Sequence, residues 1–320
     1  MADLSRVAPE LRTALEAFVA IDFSGGIGPF RDPNGARPPI PTPPELEVVT
    51  MERRAIPGVA GEPEVSVLLF TPPGEPTAPR PAVLHIHGGG FVIGDAETFG
   101  AMCRLTALTH GCIVVSVDYR LAPETRWPGS LNDCYAALCW MHDNVAALGI
   151  DPACIAVMGE SAGGGHAAAL ALHARDNVGP VICFLLLDAP MLDDRTGATS
   201  DPHPHVGHHI WTPEMNRFGW SSLLGAEAGG PDVPAGAVPA RAADLSGLPP
   251  SFISVGALDL FLEEDIEWVR RLTRAGVPAE LHVIPGAYHG FGFAASAPQV
   301  EQVTALRRSA LARAFTGKAG

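Results

Sequence analysis

The sequence predicts an α/β protein: a mostly parallel eight-stranded sheet with helices on both faces and a helical cap. Three observations carry this. From Val48 onward, short apolar runs alternate with stretches of helical spacing, the pattern of doubly buried strands joined by crossover helices. Glycine-rich or acidic loops directly follow several of those runs, where open α/β sheets gather their functional groups. Apolar residues make up 47% of the 320 residues and charged ones 18%, enough to fill the core of one large domain.

At the N-terminus, Leu11, Leu15, Phe18 and Val19 share one face of a helix predicted over Pro9–Ile21. Ser24–Pro44 is dense in glycine and proline and is predicted to be irregular. Strands are expected at 48–55, 65–71, 81–87, 112–118, 155–159, 181–188, 251–257 and 280–285. No helix separates the first two, so they should pair antiparallel. Helices are expected at 97–109, 130–147, 162–175, 264–275 and 298–315. Residues 191–248 break the alternation with many Pro, Gly and His and one helical stretch, Pro213–Leu224. Insertions of this length usually serve a site. We read residues 1–45 and 191–248 as a cap, with 46–320 as the catalytic domain that carries the insertion. A long surface excursion is the alternative for 191–248.

Composition removes several function classes. A formal charge of −14 repels phosphate backbones, so no nucleic-acid partner is expected. The only lysine is Lys318. Schiff-base chemistry, a P-loop and a serine–lysine hydrolase each need a lysine elsewhere in the chain. The six cysteines, Cys103, Cys112, Cys134, Cys139, Cys154 and Cys183, lie in apolar stretches without a C-x-x-C pair. They read as free thiols of a reducing compartment, which points to the cytoplasm. Met1–Arg6 lacks the apolar core of a secretory signal. No apolar run approaches the roughly 20 residues of a membrane span.

The chemistry starts at Gly159-Glu160-Ser161-Ala162-Gly163. The apolar run Ile155–Met158 precedes it and the helix-like His166–Leu172 follows. A G-x-S-x-G at such a strand–helix corner strains the serine and presents its hydroxyl above the sheet. Upstream, the strand-like Pro81–His87 runs into Gly88-Gly89-Gly90-Phe91. Glycines there can aim backbone N–H groups at the oxyanion of an acyl transfer, where one lost donor costs roughly a hundredfold in rate. A flexible turn is the plainer reading.

Together His87-Gly88-Gly89-Gly90-Phe91, Asp118-Tyr119-Arg120-Leu121-Ala122-Pro123-Glu124 and Gly159–Gly164 resemble the hormone-sensitive-lipase-like branch of the α/β-hydrolases. The likeness extends to Leu248-Pro249-Pro250 and Tyr288-His289-Gly290-Phe291, and covers the chain from about residue 45 onward. It implies the α/β-hydrolase fold and a carboxylesterase acting on short- to medium-chain esters, without cofactor or metal. A homodimer is compatible with it. An amidase or lactonase would use the same groups, and a catalytically silent ligand receptor is the alternative from another class.

Without a usable lysine, a nucleophilic Ser161 needs a histidine as base, and the fold orders serine, acid, histidine along the chain. His289 lies in the loop after the last expected strand, whereas His282 lies inside that strand. The resemblance places its histidine at His289 too. Asp259 follows the penultimate strand and is the expected acid, with Asp188 its main rival and Glu263 and Asp265 minor ones. Where the family has Asp-Pro-Leu, this chain has Asp259-Leu260-Phe261. The oxyanion donors should be the N–H groups of Gly88, Gly89 and Ala162, the last also opening a helix whose positive dipole end suits an anion. Glu160 is expected to hydrogen-bond neighbouring loops. Arg120 and Glu124 should tie down the loop after their strand. His203, His205, His208 and His209 match no compact metal motif and read as a polar cap loop, with a divalent-metal site as the alternative. Trp211, Phe218 and Trp220 are expected on the cap's inner face or in its core.

Overall fold

The computed structural model describes residues 4–17, 23–31, 42–198 and 202–317. Lys318, the end of the predicted N-terminal helix beyond residue 17 and residues 32–41 of the predicted irregular segment lie outside them.

Eight strands form one sheet: β1 (Thr50–Ile56), β2 (Val65–Thr71), β3 (Arg80–Ile86), β4 (Ile113–Asp118), β5 (Ile150–Glu160), β6 (Phe184–Asp188), β7 (Ser251–Gly256) and β8 (Ala279–Ile284). Their order is β1-β2-β4-β3-β5-β6-β7-β8. β1 pairs antiparallel with β2, as expected, and β2 antiparallel with β4; all remaining pairs are parallel. β5 starts earlier than expected because Ile150 pairs with Arg80 across a register shift. β6 starts later, and Val181 before it is largely exposed.

The helices are α1 (Pro9–Ala17), α2 (Gly28–Arg31), α3 (Gly100–His110), α4 (Gly129–Asp143), α5 (Val145–Leu148), α6 (Ala162–Asp176), α7 (Pro213–Leu224), α8 (Leu262–Arg274) and α9 (Pro298–Phe315). The single helix expected over 130–147 breaks at Asn144 into α4 and α5. Alternate strand residues face opposite layers. Leu84, Val115, Val157, Leu185 and Ile253 pack against α4, α6 and α8, while Val83, Val114, Ala156, Leu186 and Phe252 pack against α3 and α9. That double burial explains why the strands read as continuous apolar runs.

Two further clusters lie outside these layers. One joins Phe23 to Phe91, Trp211, Trp220 and Leu223 over the glycine-rich loop. The other packs Val7 and Leu11 beside Leu258, Tyr288 and Phe291. Among the described residues no helix is long and apolar enough to cross a membrane.

Candidate active site

β5 ends at Glu160 and α6 begins at Ala162, so Ser161 alone makes the corner. Its φ of 53° and ψ of −120° are sparsely populated for an L-residue, a strain on the order of 1–3 kcal/mol. The surroundings hold it there. Ser161 N–H donates to Asp188 O at 2.8 Å, while Ser161 O accepts from Met191 N at 2.9 Å and Gly165 N at 3.0 Å. Close approach of β3 demands Gly163, where a Cβ would lie 2.0 Å from Ile86 O.

The loop after β8 brings His289 to this corner. Its Nε2 is 3.0 Å from Ser161 Oγ, and its Nδ1 is 2.9 Å from Asp259 Oδ2. Asp259 sits just after β7, and its Oδ1 accepts from Phe261 N at 3.0 Å, so the loop is anchored without the proline. All three side chains are buried. Burial opposes charge on His289, but the Asp259 carboxylate outweighs it, and the imidazole is raised above its ordinary value of 6.5.

The rival acids face elsewhere. Asp188 accepts from Ser254 Oγ at 2.9 Å and pairs with Arg307 of α9. Glu263 is exposed. Asp265 is fully buried, and burial pushes its carboxyl well above the usual range, with Glu264 adding to the effect. His282 stays in β8, stacked on Phe252 at 5.2 Å and bonded to Glu280 at 2.7 Å.

The loop after β3 packs on the same corner: a Cβ on Gly88 would lie 3.4 Å from Ser161 Cβ. Gly89 follows, and its carbonyl accepts from Val92 N and Ile93 N at 3.1 and 3.0 Å, closing the turn. Ala162 N–H opens α6 on the other side of Ser161. Beneath the loop, Tyr119 donates to His87 O at 2.9 Å and its ring stacks on His87 at 4.2 Å. Tyr119 was legible only as a motif letter; its role depends on a contact 32 residues away. Arg120 binds Asp133 and Glu62 at 2.8 and 2.9 Å, and Glu124 binds Arg31 at 2.7 Å, so both tie down loops as expected. Glu160 departs from expectation. Its partner is His85 in β3, at 3.0 Å, because the parallel register sets both on one sheet face.

From the described part of 191–248, Trp211 reaches the site. Trp211 is buried 6.2 Å from the His289 ring, and a Cβ on Gly90 would meet it at 2.1 Å. Phe218 packs on Phe23 at 5.1 Å, and Trp220 is fully buried against Phe91. α1 takes a different place: Tyr288, beside His289, donates to Leu11 O at 3.0 Å, and Ala8 N donates to Gly286 O at 3.1 Å. Sequence reasoning gave no signal for these two bonds. In the histidine-rich loop, His203 and His205 rings are 6.0 Å apart, His208 bonds Pro204 O, and His209 lies against Tyr288. Among the described residues no group of three or more His, Cys, Asp or Glu is disposed to hold a metal ion.

Residues 83–293 match the family model described as α/β hydrolase fold. The chain is 36% identical over 304 residues to "Esterase LipI" of Mycobacterium tuberculosis, covering 93% of this chain and 92% of that protein. It is likewise 36% identical over 282 residues to "Carboxylesterase NlhH" of the same organism, covering 86% of each. Among solved structures, "Bacterial Heroin Esterase" superposes with a TM-score of 0.87 at 38% identity, over 98% of this chain and 99% of that one. The chain therefore belongs to the α/β-hydrolase family, in its hormone-sensitive-lipase-like branch.

Proposed function

We propose that the chain is a serine carboxylesterase that hydrolyses short- to medium-chain carboxylic esters through an acyl-enzyme. One observation carries the mechanism: the unbroken series Ser161 Oγ, His289 Nε2, His289 Nδ1, Asp259 Oδ2, with links of 3.0 and 2.9 Å. Ser161 Oγ attacks the ester carbonyl carbon as His289 Nε2 takes its proton. Asp259 accepts from Nδ1–H, fixes the tautomer and stabilises the imidazolium. The N–H groups of Gly88, Gly89 and Ala162 receive the oxyanion. When the intermediate collapses, the C–O bond to the alcohol breaks and Nε2–H protonates the departing alkoxide. Water, deprotonated by His289, then attacks the acyl-enzyme. The acid leaves, and Ser161 regains its proton.

The esterase and carboxylesterase names of the relatives support the reaction class. Residues 1–45 and 191–248 act as the cap, within which Phe23, Trp211 and Phe218 select the ester and α1 steadies the His289 loop, a reading supported by their contacts. The partner is a small ester, not a nucleic acid, in keeping with the charge of −14. Six unpaired cysteines support a cytoplasmic setting, and a homodimer is a compatible assembly.

The test is labelling with a fluorophosphonate together with turnover of p-nitrophenyl esters of rising chain length. Labelling at Ser161 and fastest turnover of the shorter esters are expected. A protein that takes no label and hydrolyses none of the series is not an esterase of this kind.

A further inference from the structure

The sheet face beneath Ser161 holds a second set of buried polar groups that the reaction above does not use. His85 lies in β3 and is fully buried. It stands opposite Ser116 of β4 and Met158 of β5 in the parallel register. Glu160 is two residues beyond Met158, so it projects on the same face. Both ring nitrogens of His85 are engaged: Nδ1 is 2.7 Å from Ser116 Oγ and Nε2 is 3.0 Å from Glu160 Oε2. From α3, Cys103 faces the same ring, and just before that helix Phe99 covers it at 5.5 Å. Other charged and titratable groups are near. Asp188 of β6 stands opposite Glu160 in the register, is paired with Arg307 of α9 and adds to the raising of His289. Asp118 is engaged by Arg53 at 3.2 Å, and burial lowers His87 to about 4, which leaves it neutral.

Glu160 occupies a sensitive place. Its side chain is 16% exposed and it immediately precedes the serine. An uncompensated carboxylate there opposes charge developing on the oxyanion and favours the imidazolium form of His289. A cationic His85 removes that penalty. Burial opposes the cation, but the Cys103 sulfur and the Glu160 carboxylate outweigh it and lift His85 to about 10.

We propose that His85 is a positioning residue: a buried cation that pairs with Glu160, fixes the strand end below Ser161 and cancels a negative charge beside the oxyanion. The inference rests on Ser161 being the nucleophile.

The experiment combines imidazole nitrogen spectra of the full chain with a double-mutant cycle. At about pH 8, well above the ordinary histidine range, one ring should carry protons on both nitrogens, and its signal should vanish in His85→Gln and be lost at lower pH in Glu160→Gln than in the wild type. His85→Gln should lower kcat for p-nitrophenyl acetate roughly ten- to hundredfold, change KM little and move the acid limb of the pH profile upward. Adding Glu160→Gln should restore most of the lost kcat and return the limb, because the stranded charge is gone. A neutral His85 in the wild-type spectrum overturns the inference, as does a double variant no faster than His85→Gln. If His85→Gln does not fold, the wild-type and Glu160→Gln spectra decide alone. Fluorophosphonate labelling of the wild type separates the two levels. Labelled Ser161 with a neutral His85 defeats only this inference, whereas no label defeats the nucleophile reading beneath it.

Discussion

Ser161, Asp259 and His289 lie at or just beyond three strand ends; backbone bonds hold Ser161 and Asp259, and His289 is held between their side chains. Groups coupled this tightly act as a unit, so their losses do not add. Ser161→Ala and His289→Ala should each lower kcat by several orders of magnitude, on the order of a thousandfold or more, with the double variant little worse than either. Near-normal turnover by Ser161→Ala would defeat the nucleophile assignment. The carboxylates separate by partner. Asp259→Asn should cost on the order of a thousandfold through the wrong histidine tautomer. Asp188→Asn disturbs Arg307 and Ser254 and should stay within about tenfold of wild type while lowering Tm. The reverse ranking reassigns the acid. His289 must be neutral to accept the serine proton, and Asp259 raises its pKa above 6.5. Activity should therefore climb with pH through a midpoint above 6.5, and the midpoint should fall in Asp259→Asn. A wild-type midpoint below the ordinary histidine value contradicts that electrostatic account.

At the scale of elements, the corner between β5 and α6 depends on contact with its neighbours. Gly163 lets α6 start against the end of β3, where any side chain meets Ile86 O. Gly163→Ala should destabilise by about 2–4 kcal/mol and reduce activity, since the strained serine turn must shift to relieve the clash. A Tm and kcat both equal to wild type would show that the corner relaxes freely. Strands were legible in the sequence because burial on both faces leaves them continuously apolar: each of the eight expected runs overlaps an observed strand. Their ends were less legible. Val181 is as apolar as the strand that follows, yet it lies outside the sheet, and apolarity alone does not distinguish the two. Glu160 shows the same limit. Its partner His85 lies 75 residues away and is defined only by strand register.

On the scale of the molecule, the segments outside the sheet divide their work. α1 buttresses the loop that carries His289, through Leu11, Tyr288 and Gly286. Arg31 bonds Val92 O at 2.6 Å and Glu124 at 2.7 Å, which fastens α2 to loops beside the glycine turn. Trp211, Phe218 and Phe23 form an aromatic group next to His289. Removing residues 1–40 should therefore reduce turnover of every ester by loosening His289, whereas Trp211→Ala and Phe218→Ala should shift chain-length preference. Each lost contact is worth about 1–3 kcal/mol of discrimination, so preference should move by roughly ten- to hundredfold. A truncated protein with undiminished turnover would show that α1 does not hold the His289 loop, and neutral Trp211 and Phe218 variants would show that these side chains do not bound the substrate.

The sequence alone determined the alternation of strands and helices, the serine corner, the glycine turn and the exclusion of lysine chemistries. Each is encoded locally, by side-chain periodicity, by glycines where a Cβ has no room, or by composition. Only the tertiary structure shows which carboxylate meets the imidazole. Asp188 ends β6 and is reached by Arg307 from the last helix, whereas Asp259, just after β7, lies 2.9 Å from His289 Nδ1. The strand order β2-β4-β3, the pairing of His85 with Glu160 and the bond from Tyr288 to Leu11 likewise join residues far apart in the chain. No local pattern encodes such contacts, because they form when whole layers pack and register fixes which side chains share a face.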